Sequence, residues 1–482
     1  MTDIAQRPAH SLLQGLAARE FSSAELLRLY LDRIERLNPK LNAVVTLDAE
    51  RALQRAAAAD AARAAGAPLG PLHGLPMTVK DSFETAGLRT TSGAPQLAGH
   101  VPAADADAVA RLAAAGAIVF GKTNLPTFAM DIQSVNPVFG CANNPWDLAR
   151  TPGGSSGGAA AALAAGFTAL ELGSDIGGSI RIPSHFCGVY GHKASHGIVP
   201  HRGHIPGPPG SLQEVDIAVF GPMARSAEDL ALGLGVLSGP SPERSPAWRL
   251  ELPPPRKSRL ADFRVAAWLG DAECPIDAAV RERLEAAVEA LRRAGAKVDE
   301  AARPAHSFGD AMRVFRALLM SATSTGLPPP VFDELVRQAG SDAATPAGLF
   351  ARNSTMRHRD WIRVNEERER QRRNWAAFFG DWDVLLCPVT PTPAIPHDHA
   401  EPPGVRKLLV DGQEHNYWGQ TDWPGLAGAA LLPATVAPLG CSAQGLPVGV
   451  QIVGPYLEDR TTIEFARLLG QVIGGYQAPP GY

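Results

Sequence analysis

The stretch from Thr151 to Tyr190 reads TPGGSSGGAAAALAAGFTALELGSDIGGSIRIPSHFCGVY, and its punctuation decides the architecture. The glycine-serine cluster from Gly153 to Gly158 runs into Ala159 to Ala165, a run dominated by the best helix former, which closes at Gly166 as at a C-cap. Ser155 is thereby placed at a helix start. The run from Phe167 to Leu172 is short and apolar and reads as a buried strand, followed by a second glycine-rich turn from Gly173 to Ser179. A strand packed antiparallel to the helix before it returns its C-terminal end to the level of the helix N-terminus. Ser155 and Ser179 are therefore expected to meet at one edge of a sheet, which is where open α/β sheets place ligands.

In Asp175-Ile176-Gly177-Gly178-Ser179 the glycines let successive backbone N–H groups converge on one point, as an oxyanion hole for acyl transfer requires. Ser179 is the candidate nucleophile. A single GGSSGG segment is equally compatible with a flexible linker or a phosphate-cradling loop. Two such clusters around one helix-strand unit disfavour a linker. A P-loop needs Gly-Lys-Ser/Thr at the helix start, whereas Gly157 and Gly158 follow the serines here.

Upstream, Gly74 to Asp81 (GLPMTVKD) reads as a short buried strand ending in charge. A lysine flanking a strand is ordinarily solvated surface. The helix expected from Asp107 to Ala115 and the strand from Ala117 to Phe120 change that weighting, because Leu75 to Phe120 then forms a βαβ unit with parallel strands. Lys80 would sit on the same sheet edge as Ser155 and Ser179. A lysine acts as a base near neutral pH only if burial or neighbouring donors depress its pKa, and a buried strand end could do that.

The blocks GLPMTVKDSF, GKTNLPTFAM, NPWDLARTPGGSSGGAAAALAAG, GSDIGGSIRIPSHFCGVYGHK and GLPVGVQIVGP resemble, in order and spacing, the amidase signature family of serine hydrolases. The resemblance spans nearly the whole chain. It implies a single large α/β domain over residues 1–482, with a mixed, mostly parallel β-sheet covered by helices. The signature region would lie at about 70–230 and a variable, pocket-shaping region at about 305–380. It implies a Ser-cisSer-Lys triad of Ser179 as nucleophile, Ser155 as bridging serine on a cis peptide, and Lys80 as base. The implied oxyanion hole is the backbone amides of Ile176, Gly177, Gly178 and Ser179, with Asp175, Arg181 and Ser156 supporting the loop from behind. Two departures, His192-Lys193-Ala194 for the usual Leu-Lys-Pro and Ser174 for the usual threonine, affect loop packing and leave the triad intact.

The expected activity is hydrolysis of amide C–N bonds through an acyl-enzyme, with no cofactor and no metal. The pocket implied by the resemblance draws on Phe128, Ala129, Met130, Ile132 and Gly154. Apolar residues between Met312 and Phe332, among them Phe315, Leu318, Leu319 and Leu327, would join it. Few fixed charges lie among these, so neutral apolar or aryl amides are the expected substrates, with aryl esters and carbamates (urethanes) also cleaved. Two rivals stand beside this reading. One is the glutaminase component, the A-type subunit, of a tRNA-dependent amidotransferase, which carries the same signature and works with partner chains. The other is a catalytically silent ligand-binding member, which retention of Lys80, Ser155 and Ser179 argues against.

The 482-residue chain is 45% hydrophobic and 20% charged with a formal net charge of -4, a globular composition that argues against direct nucleic-acid or anionic-membrane partners. The N-terminus lacks a basic segment followed by an apolar one, and no long uncharged apolar run appears, so a cytoplasmic protein is expected, with a homodimer allowed. Five scattered cysteines include no CxxC pair. His196, His201 and His204 fall in a proline- and glycine-rich loop that puts them on no common face, so they are read as a loop bordering the site. Arg357 to Arg373 mixes arginines and glutamates and reads as a salt-bridged helix face.

Overall fold

The computed structural model describes residues 4–340 and 345–482; the first three residues of the N-terminal segment read above, and residues 341–344 of the variable region, lie outside the described residues. Ser22 and Glu25 form a capping box, the Ser22 Oγ accepting from the Glu25 N–H at 3.1 Å and the Glu25 carboxylate from the Ser22 N–H at 2.8 Å. The helix Ser23–Leu41 starts there and runs through Pro39 in its last turn. The expected βαβ unit follows. The strand Pro76–Lys80, the helix Asp107–Ala114 and the strand Ile118–Thr123 are present, the two strands pair in parallel, and Val44–Leu47 adds an antiparallel edge. All five residues of Pro76–Lys80 are buried, lysine included.

The second sheet has eight strands in the order Lys297–Asp299, Arg264–Ala267, Val384–Pro388, Pro447–Val453, Ala434–Cys441, Tyr190–Lys193, Val219–Ala224, Leu170–Asp175. It is mixed, as expected, but among the described residues its parallel share is the smaller. Arg264–Ala267 pairs in parallel with both of its neighbours, while the other five pairings are antiparallel. Parallel strands need a long crossover, such as the helix Ala278–Arg293, whereas Ala434–Cys441 and Pro447–Val453 are joined by a tight turn closed by Ser442 and Leu446.

The alanine helix Gly157–Ala164 is buried on every side, because methyl side chains let neighbouring backbones approach all round it. Its C-terminal turn closes with the Phe167 N–H on the Ala162 carbonyl and Gly166 at φ 71°. The strand consequently starts at Leu170, later than the apolar run suggests, and continues to Asp175. The variable region is helical, with Phe308–Thr323, Pro329–Gln338, Pro346–Ser354 and His358–Asp381. The last carries the expected ion pairs, such as Arg372 with Glu369, and its Glu367 also pairs across to Arg313 of the helix Phe308–Thr323; Arg368 instead turns inward to Asp216.

Two glycines separate packing from propensity. A methyl group added at Gly158 would lie 2.3 Å from the Asn124 backbone nitrogen and 2.7 Å from the Ala43 carbonyl oxygen, whereas one added at Gly235, in the helix Ala227–Leu237, meets nothing within 4 Å. Gly158→Ala is expected to destabilise by about 1–3 kcal/mol or more, and Gly235→Ala to stabilise by roughly 0.5–1 kcal/mol. Denaturant unfolding of both variants checks this, and equal effects would show that the close backbone approach at Gly158 is not limiting.

Candidate active site

Lys80 ends its strand where the two sheets adjoin, with its side chain fully enclosed. Its Nζ lies 2.6 Å from Ser155 Oγ and 2.9 Å from Ser174 Oγ. Burial pushes its pKa down to about 7, against the opposing pull of the Asp175 and Glu171 carboxyls. Beneath it, Glu171 is pushed up to about 8 by burial, and its carboxyl accepts from the Thr78 hydroxyl. A neutral amine so placed can take a proton from a serine hydroxyl.

The Gly154–Ser155 peptide is cis, and Ser155 lies just ahead of the alanine helix. The Ser156 N–H donates to the Ser179 carbonyl at 3.0 Å, so the two glycine-serine loops are stitched together as the helix-strand argument requires. Ser156 Oγ donates to the Ser174 carbonyl at 3.3 Å. Ser134 braces the turn on both sides, donating to the Gly153 carbonyl and accepting from the Gly157 N–H. Sequence reasoning missed Ser134, which lies in no glycine-rich segment, and it treated Ser174 only as a departure in packing.

Asp175 and Arg181 are both completely buried and doubly bonded, Nη2 to Oδ1 at 2.7 Å and Nε to Oδ2 at 3.0 Å. Burial alone would raise the Asp175 carboxyl, but the Arg181 guanidinium and the surrounding N–H donors hold it at about 2. Those donors include Gly178 and Ile180. The Gly178 amide is thus committed to the Asp175 carboxylate at 2.9 Å and is withdrawn from the four amides expected to bind an oxyanion. Gly178 sits at φ 116°, a backbone conformation that favours glycine.

The expected pocket residues divide. Leu319 faces Gly177, 3.8 Å from where its side chain would begin, joined at the same distance by Thr421, which sequence reasoning did not name, and Met130 approaches Gly326. Phe128 and Ala129 sit on a left-handed turn and are part-exposed. Phe315 and Leu318 belong to the main core, and Ile132 packs with Ile182, Phe186, Ala394 and Tyr417, so these three serve the scaffold. A methyl group at Gly154 would meet the Asp131 carbonyl oxygen at 2.8 Å, which makes it a close-approach residue. His201 and His204 both stack on Phe220, with centroids 4.5 Å apart, as aromatic packing.

The Amidase family model matches residues 25–463. The A chain of the glutamyl-tRNA(Gln) amidotransferase of Synechococcus sp. (strain JA-2-3B'a(2-13)) is 35% identical over 482 residues, covering 95% of this chain and 90% of that protein. A crystal structure described as an amidase superposes with a TM-score of 0.79 at 28% identity, covering 97% of this chain and 100% of that one. The corresponding component of the Thermotoga maritima glutamyl-tRNA(Gln) amidotransferase superposes with a TM-score of 0.77 at 25% identity, covering 99% of each.

The pKa of Lys80 sets a pH dependence. Below about 7 the amine is protonated and cannot accept; above it the base is free. Fluorophosphonate labelling of the wild type should therefore quicken as pH rises through about 7, and Lys80→Ala should slow it by roughly 10²–10⁴-fold and flatten the profile. A Lys80→Ala protein keeping the wild-type pH profile would place the base elsewhere.

Proposed function

The chain belongs to the amidase signature family, and from that premise we propose that it is a serine hydrolase of neutral apolar or aryl amides, acting through Lys80, Ser155 and Ser179. The observation that carries the reading is the 2.6 Å contact between a fully buried lysine amine and Ser155 Oγ. Neutral Lys80 draws a proton from Ser155, which draws one from Ser179 as Ser179 Oγ attacks the carbonyl carbon. The N–H groups of Ile176, Gly177 and Ser179 hold the developing oxyanion, with Asp175 and Arg181 keeping the loop in shape. Ser155 then passes a proton to the leaving amine, and water, deprotonated by the same relay, releases the acyl group.

Substrate class follows from what faces Gly177. Leu319 and the Thr421 methyl offer apolar contact, and the ionic groups of the loop and its neighbouring elements are matched, Asp175 with Arg181, Arg316 with Asp422 and Arg406 with Asp131. A zwitterionic substrate would have to break such a pair, whereas an aryl or alkyl acyl group would not. Aryl esters and carbamates, with equally electrophilic carbonyls and better leaving groups, belong to the same scope.

The second reading is the glutaminase component of a multi-chain amidotransferase. It is favoured by the 35% identity to the Synechococcus amidotransferase protein over nearly the full chain. Co-purification of a second polypeptide would support it, whereas a free monomer or homodimer supports the stand-alone enzyme.

Ser179→Ala is expected to abolish both turnover and fluorophosphonate labelling while leaving thermal unfolding nearly unchanged. For the wild type, kcat/KM for a neutral anilide and a matched aryl carbamate should exceed that for glutamine by at least about 10²-fold, the scale set by an unmatched ionic group of a few kcal/mol. A preference for glutamine would overturn the apolar-acyl reading and leave the nucleophile assignment to be judged by Ser179→Ala alone.

A further inference from the structure

Cys141 meets two histidines from far along the chain. It ends the strand Gly140–Cys141, which pairs with Val135–Asn136. The bridge between Arg150 and Pro396, with the bonds from Thr151 N–H to the Ile395 carbonyl and from His397 N–H to the Ala149 carbonyl, lays residues 395–397 alongside 149–151. Cys141 Sγ is then 3.5 Å from His397 Nδ1 and 3.8 Å from His399 Nε2. One ligand atom from each of the three lies within 4.8 Å of the others. An ion held tetrahedrally at about 2.3 Å from sulfur and 2.0–2.1 Å from nitrogen requires sulfur and nitrogen about 3.5 Å apart, so little movement is needed. Cys141 is in no disulfide.

We propose that Cys141, His397 and His399 form a binding site for a zinc-class divalent ion, with one thiolate, two imidazoles and a fourth position open to water. One thiolate with two imidazoles selects zinc-class ions over magnesium or calcium. Binding releases the Cys141 thiol proton to solvent. The ion would tie residues 397–399 to the 140–141 strand, and this has a consequence for the catalytic turn. Asp398, between the two histidines, exchanges two hydrogen bonds with the Gln133 side chain, and the Gln133 backbone nitrogen lies 3.0 Å from where a side chain at Gly154 would begin. Occupancy therefore braces the wall behind Gly154 and Ser155.

Titration of tag-free, chelator-treated protein with Co²⁺ tests this. The expected result is one equivalent per chain with a near-UV thiolate-to-cobalt band, bleached by Zn²⁺. Cys141→Ser should remove the band, and His399→Ala, at an exposed position, should weaken Co²⁺ binding by more than the roughly 10–100-fold that loss of even an outer contact costs. Zn²⁺ should raise the Tm of the wild type and not that of His399→Ala. No thiolate band in the wild type, or an unchanged titration in His399→Ala, would overturn the proposal.

Discussion

The Asp175–Arg181 pair is the interaction on which the site's shape depends. Two charges removed from water are tolerable only if their remaining hydrogen-bonding capacity is filled, and here it is. Asp175 accepts from the Gly178 and Ile180 amides as well as from the guanidinium, and Arg181 Nη1 donates to the Pro424 carbonyl and Gln451 Oε1, both at 2.6 Å. One pair thus joins the end of the strand Leu170–Asp175, the loop bearing Ser179, the helix Arg181–Cys187, the helix Asp422–Ala429 and the strand Pro447–Val453. Gln451 closes the circuit by donating to the Trp423 carbonyl at 3.0 Å. The loop bearing Ser179 is therefore held from behind by a buried network of charge-assisted hydrogen bonds.

That arrangement explains why the signature blocks lie so far apart in the chain. Lys80 comes from the small sheet, Ser155 from a loop ahead of a buried helix, Ser179 from a strand-to-helix turn, and the bracing Gln451 from a strand near the C-terminus. Each is set by a local rule, and the large sheet brings them to one edge. The helices from Phe308 to Asp381 lie outside this network, and one of them brings Leu319 against Gly177.

What was legible in the chain follows the range of the forces involved. The capping box at Ser22, the alanine helix and the βαβ unit depend on neighbours within a few residues and appear as read. The placing of Ser155 against Ser179 also follows, because one helix and one strand leave little freedom. Sheet direction was less legible: pairing partners such as Ala434–Cys441 and Tyr190–Lys193 are far apart in sequence, and apolar runs look alike in parallel and antiparallel strands. Side-chain direction was less legible still. Phe315, Leu318 and Leu319 are near neighbours on one helix, and only the structure separates the two that enter the core from the one that faces Gly177. The convergence of Cys141 with His397 and His399 could not be read from any local spacing.

Burial alone does not distinguish Lys80 from two other enclosed lysines, Lys122 and Lys193, which burial pushes down to about 8 and about 7. Their partners do distinguish them. Lys193 Nζ faces the Leu432 and Ala194 carbonyls, which can only accept. Lys122 faces the Phe83 carbonyl and the hydroxyls of Thr85 and Thr90, and both hydroxyls already donate to the Phe83 and Leu88 carbonyls, leaving only lone pairs toward the amine. On losing its proton, Lys122 would have two N–H groups for three accepting oxygens, and neither carbonyl facing Lys193 carries a proton that its amine could take. Lys80 faces two serine hydroxyls, each able to turn its proton toward the amine. Its neutral form is as well bonded as its ammonium, so the proton can leave and return without disturbing the surrounding structure, which is the property a base must have through repeated turnovers.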